Sequence, residues 1–164
     1  DTGRIQQCFN NNTVEGSTYV GGICGVNQNT LENCYNIFAV TGTTNVGGIT
    51  GITNGDNGSI KNVYNTGSIN GNSYIGGISG VLKGKGNTSN WYNAGTVTGK
   101  SYVGPADGYQ DNYKGTWSGT GIYDLTVNTM KDWTLTQIQG VYLNSYFKRD
   151  ESVVNNGLPI LNWQ

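Results

Sequence analysis

The sequence has no histidine in its 164 residues and only three cysteines, Cys8, Cys24 and Cys34, none of them in a CxxC arrangement. Imidazole and thiolate groups are the usual ligands of protein zinc sites, and histidine is the usual base beside a serine or cysteine nucleophile. The composition therefore argues against a zinc site and against histidine-based catalysis. We expect the protein to need neither a metal nor a cofactor.

Charge is also scarce, because charged residues make up 12% of the chain and the net charge is −1. A nucleic acid or an anionic membrane surface is bound through a basic patch. Neither is therefore predicted as a partner. No apolar run approaches the length of a membrane-spanning helix.

Glycine is abundant instead, with 27 residues, and much of it belongs to a repeated motif. Four segments align: IQQCFNNNTVEGSTYVGGICG (5–25), LENCYNIFAVTGTTNVGGITG (31–51), IKNVYNTGSINGNSYIGGISG (60–80) and TSNWYNAGTVTGKSYVGPADG (88–108). The repeats are offset by 26, 29 and 28 residues. Repeats of this length, with glycine and asparagine between short strand-like stretches and no helical periodicity, are typical of a β-solenoid.

The aligned columns predict which side chains face the core. Aliphatic residues recur at three positions: Val20, Val46, Ile75 and Val103; Val14, Val40, Ile69 and Val97; Ile23, Ile49 and Ile78. We predict that these columns form inward ladders, that asparagine columns form hydrogen-bonded ladders at corners, and that the paired glycines form a corner requiring positive φ or close backbone approach. In the third repeat we predict strands near 60–65, 67–70 and 74–79, with a loop after the last glycine. The fold class is thus all-β, a right-handed parallel β-helix of about four coils with a C-terminal cap.

The stretch NVYNTGSINGNSYIGGISG (62–80) resembles the GLUG repeat of bacterial secreted and surface proteins. The resemblance covers about 4–108 as four copies, and the fourth departs from it at Pro105 and Ala106. It implies a β-solenoid in a secreted or cell-surface protein. The chain is also similar to the β-helical carbohydrate-binding modules that are appended to plant-polysaccharide hydrolases.

The periodicity ends after Gly108, and we divide the chain into two parts of one domain. We predict a solenoid over 1–112 and an aromatic-rich capping segment over 113–164, with a short helix within 129–142. A cap is expected because the open end of a solenoid exposes unpaired strand edges. The sequence begins in the middle of the pattern, so we expect covalently linked catalytic or surface-anchoring domains in the parent protein.

Catalytic groups are sparse in the repeats. Parallel β-helix enzymes that cleave polysaccharides need clustered acids, or a basic catalyst beside metal-binding carboxylates. The chain has ten acidic residues, and no repeat column holds two of them. The nearest group, Asp107 and Asp111 with Asp124, has a nonspecific spacing for calcium and is interpreted as turn carboxylates. We predict that the protein is not an enzyme.

Two further columns leave alternatives open. Cys8 and Cys34 fall in one column on adjacent coils, close enough for a disulfide, while Val63 in the same column favours buried thiols. The aromatic column Phe9, Tyr35, Tyr64 and Tyr92 faces inward or outward depending on whether the strand bends at Asn62. We interpret this column as structural.

Tyrosines mark the predicted binding face. Ile75 is predicted to face inward, so strand alternation directs Tyr74 outward, in a column with Tyr19, Asn45 and Tyr102. A tyrosine ring can stack on the apolar face of a sugar while its hydroxyl forms hydrogen bonds. We predict carbohydrate contacts by Tyr74, Tyr102, Tyr19, Asn45 and Lys100.

Two functions follow from these observations. The first is a non-catalytic carbohydrate-binding module that recognises a neutral plant β-glycan such as xylan through surface aromatics. The alternative is a structural or adhesive β-solenoid domain of a bacterial cell-surface protein. The resemblance does not decide between them.

Overall fold

The protein folds as a parallel β-solenoid of about four turns, as the repeats predicted. A computed structural model describes residues 3–83, 87–111, 121–122 and 146–164. The first coil contains β1 (Arg4–Gln6), β2 (Phe9–Asn10), β3 (Val14–Glu15), β4 (Thr18–Gly21) and β5 (Cys24–Asn27). The second contains β6 (Thr30–Asn36), β7 (Val40–Thr41), β8 (Thr44–Gly47) and β9 (Thr50–Asn54).

The third and fourth coils repeat this order. The third contains β10 (Ser59–Asn65), β11 (Ile69–Asn70), β12 (Ser73–Gly76) and β13 (Ser79–Lys83). The fourth contains β14 (Asn87–Asn93), β15 (Val97–Thr98), β16 (Ser101–Gly104) and β17 (Asp107–Asp111). Strand β18 (Gly121–Ile122) then pairs with β14, and β19 (Phe147–Lys148) pairs antiparallel with β20 (Ile160–Leu161). No helix in the described part of the chain is long and apolar enough to cross a membrane.

Equivalent strands of successive coils form four parallel sheets. Sheet A contains β1, β2, β6, β10, β14 and β18; sheet B contains β3, β7, β11 and β15; sheet C contains β4, β8, β12 and β16; sheet D contains β5, β9, β13 and β17. The predicted alignment is the observed register, since Val63 pairs with Cys34 and Trp91, and Ile75 pairs with Val46 and Val103.

The prediction of a loop after each repeat was wrong, because these residues form the strands of sheet D. The residues after the last glycine of each repeat were predicted to be loop, but β13 extends to Lys83 and β9 to Asn54. Strands form there because a fourth column of apolar residues pairs in register from coil to coil, although it lies outside the repeated motif. Its members are Val26, Ile52, Val81 and Tyr109. Three strands per coil were predicted. The second, third and fourth coils each have four, and the first has five because its part of sheet A is divided into β1 and β2.

The predicted inward ladders form two apolar clusters. One contains Val20, Val40, Val46, Ile69 and Ile75, and the other includes Ile49, Val63 and Ile78. Each fully buried aliphatic side chain contributes roughly 1.5–3 kcal/mol. Val103 is an exception, with 43% of its surface exposed, because no described strand continues sheet C beyond β16.

A buried asparagine ladder runs through the coils and confirms the predicted hydrogen bonding. Nδ2 of Asn36 donates to Oδ1 of Asn65 over 2.7 Å, and Nδ2 of Asn65 donates to Oδ1 of Asn93 over 2.8 Å. Each amide also donates to a backbone carbonyl two residues ahead, as Asn65 does to Gly67. Buried polar groups satisfied in this way fix the register of the coils without an unpaired-group penalty.

The paired glycines are required by close approach and not by positive φ. A Cβ on Gly48 would overlap the carbonyl oxygen of Gly77 in the next coil and lie 2.7 Å from Oδ1 of Asn65. Gly22 and Gly77 have equivalent neighbours. The sequence predicted either positive φ or close backbone approach as the reason for the paired glycines, and close backbone approach is the reason observed.

The C-terminal residues pack along the outside of sheet A. Tyr35, Tyr64 and Tyr92 are buried in a cluster with Phe147, Leu158 and Leu161, and the rings of Tyr35 and Tyr64 stack with centroids 4.9 Å apart. The aromatic column is therefore structural, as interpreted, and its rings point outward but are covered. The predicted helix within 129–142 and most of the predicted cap lie outside the described residues.

Hydrogen bonds fix this segment to the coils. The hydroxyl of Tyr35 donates to Oε1 of Gln164 over 2.9 Å, and Nδ2 of Asn155 donates to the hydroxyl of Tyr64 over 3.1 Å. Burial raises the pKa of Tyr35 to about 12 and raises that of Tyr64 well above its usual value. Asp150 accepts three backbone N–H groups, from Val154, Asn155 and Gly157, which shapes the turn before β20.

Candidate functional site

The predicted tyrosine column lines an open groove between sheets C and D. Sheet C contributes four side chains that share one column: Tyr19, Asn45, Tyr74 and Tyr102. Sheet D contributes four others: Ile52, Val81, Lys83 and Tyr109. The groove has a volume of about 280 Å³, so it is large enough for a small ring and too open to enclose one.

Glycine at the end of each repeat lets the two sheets meet closely beneath the groove. A Cβ on Gly80 would lie 2.6 Å from the backbone nitrogen of Val46 and 2.7 Å from the carbonyl carbon of Asn45. Gly108 stands in the same relation to Tyr74 and Ile75. The backbone of the tyrosine column therefore lies in close contact with these glycines of sheet D.

The outward direction of the column has a different cause from the predicted strand alternation. Tyr19, Asn45, Tyr74 and Tyr102 all have left-handed backbone conformations, with φ of 55°, 54°, 61° and 52°. The sheet C ladder accordingly skips this position, since Ser73 pairs with Ser101 and Ile75 with Val103. Each coil thus bends at this residue and presents its side chain outside the core.

Tyrosine is a costly choice for such a position. A left-handed conformation costs a non-glycine residue roughly 1–2 kcal/mol, and asparagine tolerates it best because its short amide can form local hydrogen bonds. The second left-handed column has Gln7 in the first coil and asparagine in the other three, with Asn33, Asn62 and Asn90 linked by amide hydrogen bonds of 3.2 and 2.9 Å. In the groove column, tyrosine occupies three of the four strained positions. The bend itself does not require tyrosine, because asparagine forms it at the second coil, so the choice of tyrosine at a strained position points to function.

The rings of Tyr74 and Tyr102 stack on each other. Their centroids are 4.7 Å apart and their planes differ by 8°. Tyr109 contacts both rings with its plane at 71° and 78° to theirs. The facing surfaces of Tyr74 and Tyr102 are therefore occupied, although Tyr102 keeps 54% of its surface exposed.

The polar groups at the groove are hydrogen-bonding groups without negative charge. They are the tyrosine hydroxyls, the amide of Asn45 and the ammonium of Lys83, and the described lining includes no carboxylate. Lys100, predicted to contact the ligand, lies on the turn before β16 and is not among the lining residues. Lys83 lines the groove instead, and it was missed because sheet D was not predicted.

The other candidate groups do not form a site. No cluster of three potential metal ligands occurs among the described residues. Asp107 is half-buried and continues the column of the buried residues Thr50 and Ser79 in sheet D, and burial raises its pKa. Asp124 lies outside the described residues. All three cysteines are free thiols, and the backbone N–H of Cys8 lies 3.4 Å from Sγ of Cys34.

Comparison with known proteins supports the fold. No family model matches the chain, and no curated protein matches it, so the GLUG resemblance stays a prediction. A solved chain from Bacteroides ovatus, described as "a putative immunoglobulin A1 protease", is similar with a TM-score of 0.67 and 23% identity. The similarity covers 99% of this chain and 58% of that chain. At this identity the likeness establishes a shared β-solenoid fold.

Proposed function

We propose that this solenoid is a non-catalytic carbohydrate-binding module of a secreted or surface-located bacterial protein, and that it recognises a neutral β-glycan such as xylan. The observation that carries the proposal is the strained column of tyrosines around the groove. Three left-handed positions hold aromatic rings, two of them about half exposed, with Tyr19 at 46% and Tyr102 at 54%. Rigid amphipathic rings of this kind are suited to the apolar faces and hydroxyl groups of sugars.

The low charge of the groove supports the proposal that its ligand is uncharged. Lys83 provides a single ammonium group among the lining residues, whereas a polyanionic chain would call for a set of cations. Asn45 and the tyrosine hydroxyls can donate to and accept from sugar hydroxyls. The absence of a carboxylate in the described lining leaves no general acid–base pair for glycoside cleavage there.

Affinity electrophoresis tests the proposal. The chain is expected to migrate more slowly in native gels that contain xylan or β-glucan than in gels without polysaccharide, and to be unaffected by pectin. Prolonged incubation with the same polysaccharides is expected to release no new reducing ends. Unchanged mobility on every neutral polysaccharide would reject the sugar-binding function and favour the structural or adhesive one.

A further inference from the structure

The groove column has one gap in its aromatic ladder. Tyrosine occupies the first, third and fourth coils, but the second coil has Asn45. Adjacent coils place equivalent rings 4.7–4.9 Å apart, as in Tyr74–Tyr102 and Tyr35–Tyr64. Rings of Tyr19 and Tyr74 that follow this spacing would be about 9.6 Å apart, twice the spacing of neighbouring strands.

This separation leaves room for one ring. A ring held midway would lie about 4.8 Å from each tyrosine, within the 4.5–7 Å range of offset-stacked rings. Tyr102 stacks on one face of Tyr74, and the opposite face borders the second coil. Tyr19, in the first coil, is 46% exposed. Ile52 of the same coil and Val81 of the next give the gap an apolar wall.

The remaining surfaces of the tyrosines are less suitable. Tyr74 and Tyr102 cover each other's facing surfaces, and Tyr109 packs with its edge against both. At the second coil, by contrast, two groove tyrosines flank a residue that has no ring. Asn45 belongs to the same lining, and its amide can contact the hydroxyls of an inserted ring.

We propose that the gap at Asn45 is a subsite that holds a single sugar ring between Tyr19 and Tyr74. This inference rests on the proposed glycan-binding function and adds where the sugar sits. The sugar takes the place that a fourth tyrosine ring would occupy in the ladder. Both of its faces are covered, so the subsite selects a pyranose whose two faces carry axial hydrogens over one with an axial hydroxyl.

A substitution that places a tyrosine side chain in the gap tests the proposal. Asn45→Tyr is expected to keep the fold, because the same backbone conformation already holds tyrosine at 19, 74 and 102. It is expected to weaken retardation by the best neutral polysaccharide gel at least tenfold in apparent Kd. A surface platform would predict the opposite, since the variant adds a fourth aromatic ring.

Asn45→Gly is the matched control. Glycine accepts φ near 54° and leaves the gap open, so this variant keeps the space for the sugar but loses the contacts of the Asn45 amide. It is expected to bind more weakly than the wild type and at least about threefold more tightly than Asn45→Tyr. Equal binding by wild type and Asn45→Tyr would overturn the subsite and leave the glycan-binding function standing. Equal loss in both variants, with both folded by circular dichroism, would assign binding to the amide and also overturn it.

Tyr19→Ala provides a second test that does not depend on the folding of Asn45→Tyr. The subsite requires both walls, so Tyr19→Ala is expected to weaken binding as much as Tyr74→Ala does. Undiminished binding by Tyr19→Ala would contradict the subsite and favour contacts on the Tyr74–Tyr102 pair. If the wild type is retarded by no glycan, the proposed function fails and the subsite fails with it.

Discussion

Substitution of Gly48 with alanine is expected to destabilise the protein by about 3 kcal/mol or more. The added Cβ would overlap the carbonyl oxygen of Gly77 and crowd the buried amide of Asn65. Overpacking in a well-packed core typically costs about 1–3 kcal/mol and occasionally more. Here both neighbours belong to hydrogen-bonded ladders, so neither can move without breaking the stacking of coils two and three. Urea denaturation followed by circular dichroism measures the change.

Gly55→Ala is the matched control for this effect. Gly55 has φ of 94°, and a Cβ on it would meet nothing within 4 Å. Alanine at that position carries only the conformational cost of positive φ, about 1–2 kcal/mol. Equal stability of Gly48→Ala and the wild type would contradict the assignment of the paired glycines to close approach between coils.

Removal of residues 146–164 is expected to lower the free energy of unfolding on the order of 5 kcal/mol. Phe147, Leu158 and Leu161 are buried against the aromatic column of sheet A, which includes Tyr35 and Tyr64. Burial of each such side chain contributes roughly 1.5–3 kcal/mol. The truncation also removes Asn155 and Gln164, the hydrogen-bond partners of Tyr64 and Tyr35. The measurement is the urea midpoint, together with light scattering, because exposed aromatic surface promotes association.

Leu161→Ala provides a milder version of the truncation. Its side chain is fully buried, and large-to-small changes at such sites cost about 2–5 kcal/mol. Both Leu161→Ala and the truncation should therefore lower the free energy of unfolding, and the truncation should lower it more. A truncated protein that remains monomeric and unfolds at the wild-type midpoint would show that the C-terminal segment does not stabilise the coils.

The solenoid was predictable because its repeats determine one register. Val46 and Ile75 fall in one column of the sequence and pair in one sheet of the structure. The strands of sheet D were not predictable from that motif, since Ile52 and Val81 lie beyond it and the intervening turns differ in length. A repeat shows its regular positions clearly, and it gives little information on segments where the coils differ.

Part of the candidate site was predictable for the same reason. The outward direction of Tyr19, Tyr74 and Tyr102 was expected, but the left-handed backbone was not, because tyrosine rarely adopts it. Asn45 in their column was the available signal, since asparagine favours that conformation. The stacking of Tyr74 on Tyr102 and the contribution of Lys83 depend on how sheets C and D meet, which the repeat alone does not specify.

Binding by the Tyr74→Ala, Tyr102→Ala double variant is the measurement that tests the groove as the glycan site most directly. Its apparent Kd for the best neutral polysaccharide is compared with those of the wild type and of Tyr146→Ala, which removes an exposed aromatic ring outside the groove. Loss of an aromatic anchor costs on the order of 1–2 kcal/mol, so the groove variant is expected to bind at least tenfold more weakly. Tyr146→Ala is expected to bind like the wild type. Equal binding by all three folded proteins would contradict the account.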